Sequence, residues 1–308
     1  MDPLTHSLIG GLSAQTAGVS RRRFWIMFGL GSVMDLDIVT NWCGDWASFL
    51  QHRGISHSIL GVVLQVVFFA FIFKRIDRGT FRERAFYYSI PLSLHLLCDY
   101  LTSFGIPLFL PFSLKSYSLG VIGCVNLIPM AIAGGTLIYM YLKDRSGWRA
   151  AGWAWITWGI YLGLVSFGKV YAANIAEGGP SLTPIPTLMN PFKWQAISAD
   201  SKNHAYHRYL IDIWRRQTTH LNDIPMPNGD FPVRSSMASP LVREYLKNSV
   251  WPVVRMQKKN GGWEVEWGRL IFGMRGLVRG NILIEMDESG KIREEKKVVS
   301  FWNPETHS

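Results

Sequence analysis

The sequence predicts an α-helical membrane bundle of about six membrane segments, followed by a small extracytoplasmic α+β domain. Three observations carry that expectation. Apolar residues make up 48% of the 308 positions and gather in the first half. Charged residues are only 18% of the chain, and those of the first half sit in short basic clusters between apolar runs. From residue 172 onward the chain is more polar and is punctuated by proline. The division expected is therefore 1–171 for a helical membrane domain and 172–308 for a soluble one.

Residues 3–18 mix Thr5, His6, Ser7, Ser13 and Gln15 with small residues, which reads as a helix packed inside the bundle. Apolar runs follow at 24–34, 58–73, 85–101, 119–142 and 150–168. The last two are long enough to span alone, since about 20 helical residues cross the hydrocarbon core. The earlier ones are shorter or interrupted by polar residues, as expected of helices that neighbours shield and that line a polar cavity. The basic clusters Arg21–Arg23, Lys74–Arg84 and Lys143–Arg149 fall between alternate runs. By the positive-inside rule all three are cytoplasmic, which puts the N-terminus and the tail outside. Arg21–Arg23 follow the first apolar stretch rather than precede it, so that stretch does not read as a cleaved signal peptide.

In the tail, Pro180, Pro184, Pro186, Pro191, Pro225, Pro227 and Pro232 break the chain without a further spanning run. Short helices are expected at 204–217 and 234–248. Between 250 and 302, alternating segments such as WEVEWGRLIF and KKVVSFW, separated by NGG and DESG, read as a small antiparallel sheet.

A formal charge of +10 would suit nucleic acid, yet the basic residues read as membrane anchors. No helix-turn-helix, zinc-finger or phosphate-loop motif stands behind a nucleic-acid or nucleotide role. Cys43, Cys98 and Cys124 form no CxxC pair, which argues against both a disulfide framework and a thiolate zinc site.

The chemistry gathers in His6, His52, His57 and His95 with Asp35, Asp37 and Asp99. Counted from the basic loops, His6, Asp35, His57, His95 and Asp99 lie roughly 16 to 25 Å away at the helical rise, so alternating segments deliver them to the outer side. His95 and Asp99 are one turn apart on one helix face. An apolar segment makes an unpaired Asp99 costly, so a metal shared with His95, or a plain His–Asp hydrogen bond, is expected. His52 and His57 converge only if Arg53 and Gly54 form a turn; otherwise they are solvated loop histidines. Asp35 and Asp37 diverge on a helix by about 200°, and Asp37 is the one expected to cap or face solvent. This donor set lacks thiolates and suits Zn²⁺ before Mn²⁺ or iron, as one ion or two bridged by an aspartate. Such an ion activates water for attack on an ester or phosphoester. Arg53, and Lys115 after it, are candidates for holding an anionic substrate oxygen; Arg53 could equally pair with Asp35 or a lipid headgroup. His204, His207 and His220 could bind metal in principle, but His204 and His207 read as solvated helix residues, and all three are set aside. Trp153, Trp155, Trp158 and Tyr161 read as a packed or interfacial aromatic belt.

MDPLTHSLIGG at the start, MDLD at 34–37, HRGISHS at 52–58, HLLCDYLTSFGIPLFLPFS at 95–113 and MNPFKW at 189–194 together resemble the bacterial membrane-bound metal-dependent hydrolases, including the YdjM-like group of LexA-regulated inner-membrane hydrolases. The resemblance implies a bacterial inner-membrane enzyme using a divalent metal, with His6, Asp35, His52, His57, His95 and Asp99 at the motif positions. The expected catalytic residues are Asp35, Arg53 and Asp99. The expected partners are the lipid bilayer and a lipid or phosphoester substrate, with no nucleic acid. The donor set is also similar in kind to that of helical zinc-dependent phospholipases C. Two other classes stay open: a proton or metal-ion transporter, since membrane His and Asp build relays, and a non-enzymatic stress protein whose tail binds a partner. Neither an internal repeat nor a matched pair of broken helices supports the transporter.

Overall fold

The computed structural model describes residues 1–42, 54–103, 105–113, 115–123, 126–143, 148–175, 184–187, 190–249, 251–259, 261–270 and 278–302, although the side chains of 38–42, 248, 278–280, 299 and 301 are not described. It divides into two compact units, Met1–Phe167 and Gly168–Ser308.

The first unit is helical. Asp2 caps α1 (Pro3–Thr16), accepting from the Thr5 amide at 2.9 Å, and Pro3 supplies the preset first turn. Ser20 caps α2 (Arg21–Ser32), which tightens into a 3-10 stretch over Val33–Trp42. A short turn at Ile55–His57 leads through the Ser58 cap into α3 (Ile59–Ile72). Thr80 and Glu83 form a reciprocal capping box at the start of α4 (Phe81–Leu101). The Asn126 side chain caps α5 (Leu127–Leu142), and α6 (Trp148–Ile175) crosses from the first unit into the second.

Glycine decides how α1 and α2 meet. A Cβ on Gly10 would lie 2.5 Å from the Met27 carbonyl oxygen, and one on Gly31 would overlap the His6 carbonyl oxygen. The two backbones therefore touch at both positions. Ala14, Met27, Leu30, Ala70 and Tyr88 pack α1 to α4 into one core at the end of the unit where the basic loops lie. At the edge of that core Arg23 clamps Asp77 with two bonds of 2.7 Å, and Tyr88 donates to the same carboxylate at 3.0 Å. Trp155, Trp158 and Tyr161 pack inward beside Cys98 and Leu101, whereas Trp153 is exposed.

The expected bundle of about six spans is not what the chain forms. Among the described residues one helix, α6, is long and apolar enough to cross a membrane. With 14, 12, 14 and 16 residues, α1, α2, α3 and α5 rise only about 18 to 24 Å, short of a hydrocarbon core of about 30 Å. The 21 residues of α4 are long enough, but they include Arg82, Glu83, Arg84, His95 and Asp99. The apolar run 119–142 yields a helix only from Leu127, where the Asn126 cap and Pro129 set its start.

The second unit departs from the expected α+β domain with one sheet, because it holds two four-stranded antiparallel sheets. The first contains β1 (Ile185–Pro186), β2 (Lys193–Asp200), β3 (Ala205–Asp212) and β4 (Gln217–Pro225) in sequential order. The helix expected over 204–217 is the β3–β4 hairpin. Tyr206, Arg208 and Ile211 are buried along β3, so aromatic and β-branched residues there serve a pleated surface. Two short helices, α7 (Phe231–Ser236) and α8 (Pro240–Asn248), precede the second sheet. That sheet comprises β5 (Pro252–Lys259), β6 (Gly262–Leu270), β7 (Val278–Asp287) and β8 (Ile292–Trp302), within the segment read as strands. Val233 and Val242 pack against Val265, Trp267 and Ile284. Ile197, Tyr206 and Ile224 of the first sheet share a core with Val253, Leu270 and Trp302 of the second.

Candidate metal centre

Four stretches of chain deliver the polar residues of the first unit to one buried place. His6 comes from the first turns of α1, Asp35 from the 3-10 stretch after α2, His57 from the turn before α3, and His95 and Asp99 from the last turns of α4. All five are buried, His57 and Asp99 completely. Each is at the end of its helix opposite the basic clusters, because successive helices run from cluster to site and back.

Donor atoms of His6, Asp35, His95 and Asp99 all fall within 4.8 Å of one another. The His57 ring joins them. Its Nε2 lies 3.2 Å from His95 Nε2, 3.7 Å from Asp35 Oδ1 and 3.6 Å from Asp99 Oδ2. His95 Nε2 lies 3.7 Å from the same Asp35 oxygen and 3.9 Å from Asp99 Oδ2. His6 stacks on His95 with ring centroids 3.6 Å apart, and its Nε2 reaches Asp99 Oδ1 at 3.3 Å without the alignment of a hydrogen bond. The amino group of Met1 also donates to that oxygen.

Two outer contacts orient the imidazoles. The Gly31 carbonyl accepts from His95 Nδ1 at 2.7 Å, which leaves Nε2 as the lone-pair nitrogen facing the cluster. Asp37 Oδ2 lies 3.1 Å from His57 Nδ1 and accepts from the Ser56 hydroxyl. Asp37, expected to cap or face solvent, is instead the outer partner of a cluster histidine. The reason is the 3-10 geometry: at about three residues per turn, positions two apart sit about 120° from each other around the axis, so Asp35 reaches the His57 ring at Nε2 and Asp37 reaches it at Nδ1.

The donor set fits a divalent ion. Two bonds of about 2 Å to a tetrahedral zinc place their nitrogens roughly 3.3 Å apart, which is close to the separation of the two Nε2 atoms. Both ring nitrogens of His6 and Asp35 Oδ2 are buried without a hydrogen-bond partner, a costly state that a bound cation relieves. Three imidazoles and two carboxylates without a thiolate suit the borderline ions, zinc foremost.

A model of the YdjM inner membrane protein family matches residues 1–175, more than half of the chain and all of this cluster. The chain belongs to the YdjM inner membrane protein family. No curated protein and no solved structure matches it. The YdjM match covers four of the five motifs that carried the resemblance and ends at the last residue of α6, before MNPFKW.

Of the YdjM motif positions, the structure brings His6, Asp35, His57, His95 and Asp99 together, while His52 and Arg53 lie outside the described residues. Lys115 is exposed, with its ammonium 5.4 Å from the Tyr117 ring, and stands apart from the cluster contacts. Sequence reasoning missed the Gly31 carbonyl and the role of Asp37. For Gly31 the one available signal was a glycine three residues before the MDLD motif.

Proposed function

We propose that the chain is an integral membrane hydrolase that uses a divalent ion, most naturally zinc, to cleave an ester or phosphoester, with a lipid-linked phosphoester as the substrate class. The observation that carries this reading is the pair of Nε2 atoms of His57 and His95, 3.2 Å apart in a buried pocket shared with two carboxylates. His57, His95, Asp35 and Asp99 would hold the ion and His6 would complete or flank the set. Such an ion supplies Lewis acidity that makes water a nucleophile near neutral pH.

The protein's own residues do the rest. Gly31 and Asp37 fix the two ring orientations through their Nδ1 atoms, as outer partners of metal-binding histidines commonly do. Whichever of Asp35 and Asp99 is not fully engaged would take the proton from water, and Arg53 is assigned on sequence grounds to an anionic substrate oxygen. Exposed Val63, Leu64, Val67, Phe68 and Phe71 give α3 an outward apolar face suited to lipid. Lys143, Arg145 and Arg149, which precede or open the apolar stretch of α6 in sequence, favour an outside location for the second unit by the positive-inside rule.

The test is purification in detergent, metal analysis, and assay against phosphodiester and phosphomonoester lipids. Stoichiometric metal that His95→Ala and Asp99→Ala abolish, together with turnover, supports the reading. Metal-free protein prepared without chelators, or variants with unchanged metal and turnover, defeats it.

A further inference from the structure

The second unit carries another set of metal-type donors, distinct from the buried cluster. His207 stands on β3, and His220 and Asp223 on β4. Three residues apart on a regular strand, His220 and Asp223 would point to opposite faces. A register shift prevents that: His207 pairs with Asp223 and Arg208 with Asn222, but Tyr209 pairs with His220, so Leu221 is the extra residue. The bulge turns His220 onto the face that already carries His207 and Asp223.

The three side chains converge on one oxygen. Asp223 Oδ1 lies 2.6 Å from His207 Nδ1 and 2.7 Å from His220 Nε2. The other nitrogen of His207, Nε2, lies 3.4 Å from Asp200 Oδ2. Asp200 is itself pinned by the β2–β3 turn, accepting from the amides of Lys202 at 2.9 Å and Asn203 at 3.2 Å and from Asn203 Nδ2 at 2.7 Å. A carboxylate on the far nitrogen of an imidazole is the usual way a metal-binding histidine is oriented and its tautomer fixed. His220 and Asp223 are exposed and His207 half-buried, which leaves room for water to complete the coordination.

We propose that the β3–β4 hairpin holds a second metal site, in which His207, His220 and Asp223 bind one zinc-class divalent ion and Asp200 secures the His207 ring. Two imidazoles and a carboxylate with an open remainder are a donor set that zinc accepts. The bulge, which costs a ladder hydrogen bond, is explained by the convergence it produces. This site stands whether or not the buried cluster of the first unit binds metal.

The full-length protein in detergent, stripped with chelator, is titrated with Zn²⁺ by equilibrium dialysis and with Co²⁺ by visible absorption. His220→Ala and Asp223→Asn are each expected to bind one ion fewer per chain, with at least tenfold weaker affinity at that site. His204→Ala, in the turn at φ 49°, serves as the control and is expected to match the unchanged protein. Because the readout is a difference of one ion, it does not depend on how many the first unit takes up. Modification of the unaltered protein by diethyl pyrocarbonate, mapped by mass spectrometry, covers the case of a variant that folds poorly. His220 is expected to react in the stripped protein and to be protected by Zn²⁺. An unchanged isotherm in folded His220→Ala and Asp223→Asn, or equal labelling of His220 with and without Zn²⁺, overturns the proposal.

Discussion

His57 and His95 face each other through their Nε2 atoms at 3.2 Å, while their Nδ1 atoms are engaged from behind by Asp37 and by the Gly31 carbonyl. Two imidazoles presented this way, from the turn before α3 and the end of α4, have their Nε2 atoms aimed at one point. The Nδ1 contacts come from Asp37, Ser56 and Gly31, which stand outside the cluster.

The first consequence concerns Asp37. Asp37→Asn keeps the size of the side chain but removes the carboxylate behind His57 Nδ1. Outer partners of this kind typically contribute 10- to 100-fold to metal affinity. The expected result is zinc affinity weaker by about that factor, read by competition with a chromophoric chelator, with helical content unchanged by circular dichroism. An affinity equal to that of the unaltered protein would detach Asp37 from the site.

Gly31 and Gly29 offer a matched pair on α2. A Cβ on Gly31 would collide with the His6 backbone, whereas one on Gly29 meets nothing within 4 Å. Gly31→Ala is expected to destabilise the protein by about 1–3 kcal/mol through overpacking and to lower metal content by displacing His6. Gly29→Ala is expected to be neutral or stabilising by about 0.5–1 kcal/mol, since alanine is the better helix former. Thermal unfolding in detergent separates the two.

The Arg23–Asp77 clamp predicts a pH dependence away from the metal centre. Burial alone would push the Asp77 carboxyl up, but the Arg23 and Tyr88 hydrogen bonds outweigh it and hold Asp77 below the usual carboxylate range. A carboxylate whose folded pKa is depressed stabilises fully above its unfolded value, about 3.9, and loses that contribution as pH falls through the folded value. Stability at neutral pH is therefore expected to exceed that of Asp77→Asn by about 1.5–3 kcal/mol, the usual range for hydrogen bonds to charged groups. The difference should close on acidification below about pH 4. A gap that stays constant from pH 7 to pH 3 would contradict this assignment.

Orientation can be tested at the β7–β8 turn, where Asp287 holds the amides of Ser289 and Lys291 at 2.9 and 3.0 Å. Ser289→Cys places a thiol on that exposed turn, while the native Cys98 is buried. An impermeant maleimide added to intact spheroplasts is expected to label the variant above the unaltered protein. Labelling only after lysis would put the second unit inside.

What the sequence determined by itself was local or depended on residue type. The change of character near residue 172 and the apolar runs of the first half were plain from composition alone, while the caps that set the helix starts, Asp2, Ser20, Thr80 with Glu83 and Asn126, were seen only in the structure. The polar positions His6, Asp35, His57, His95 and Asp99 stood out because ionisable groups among apolar neighbours are costly, and HLLCD placed two of them on one face. The tail strands from 252 to 302 were legible from their alternation and turn residues.

Tertiary structure decided the rest. Hydropathy counts apolar residues but does not say where a helix stops, so several runs that read as spans became helices of 12 to 16 residues and left α6 as the single candidate for crossing among the described residues. Asp37 became a partner of His57 because a 3-10 turn rotated it there. His220 joined His207 and Asp223 because one extra residue in β4 shifted the pairing. Each of these outcomes depends on backbone geometry and on contacts between segments tens of residues apart, and such contacts leave no periodic trace in the chain that makes them.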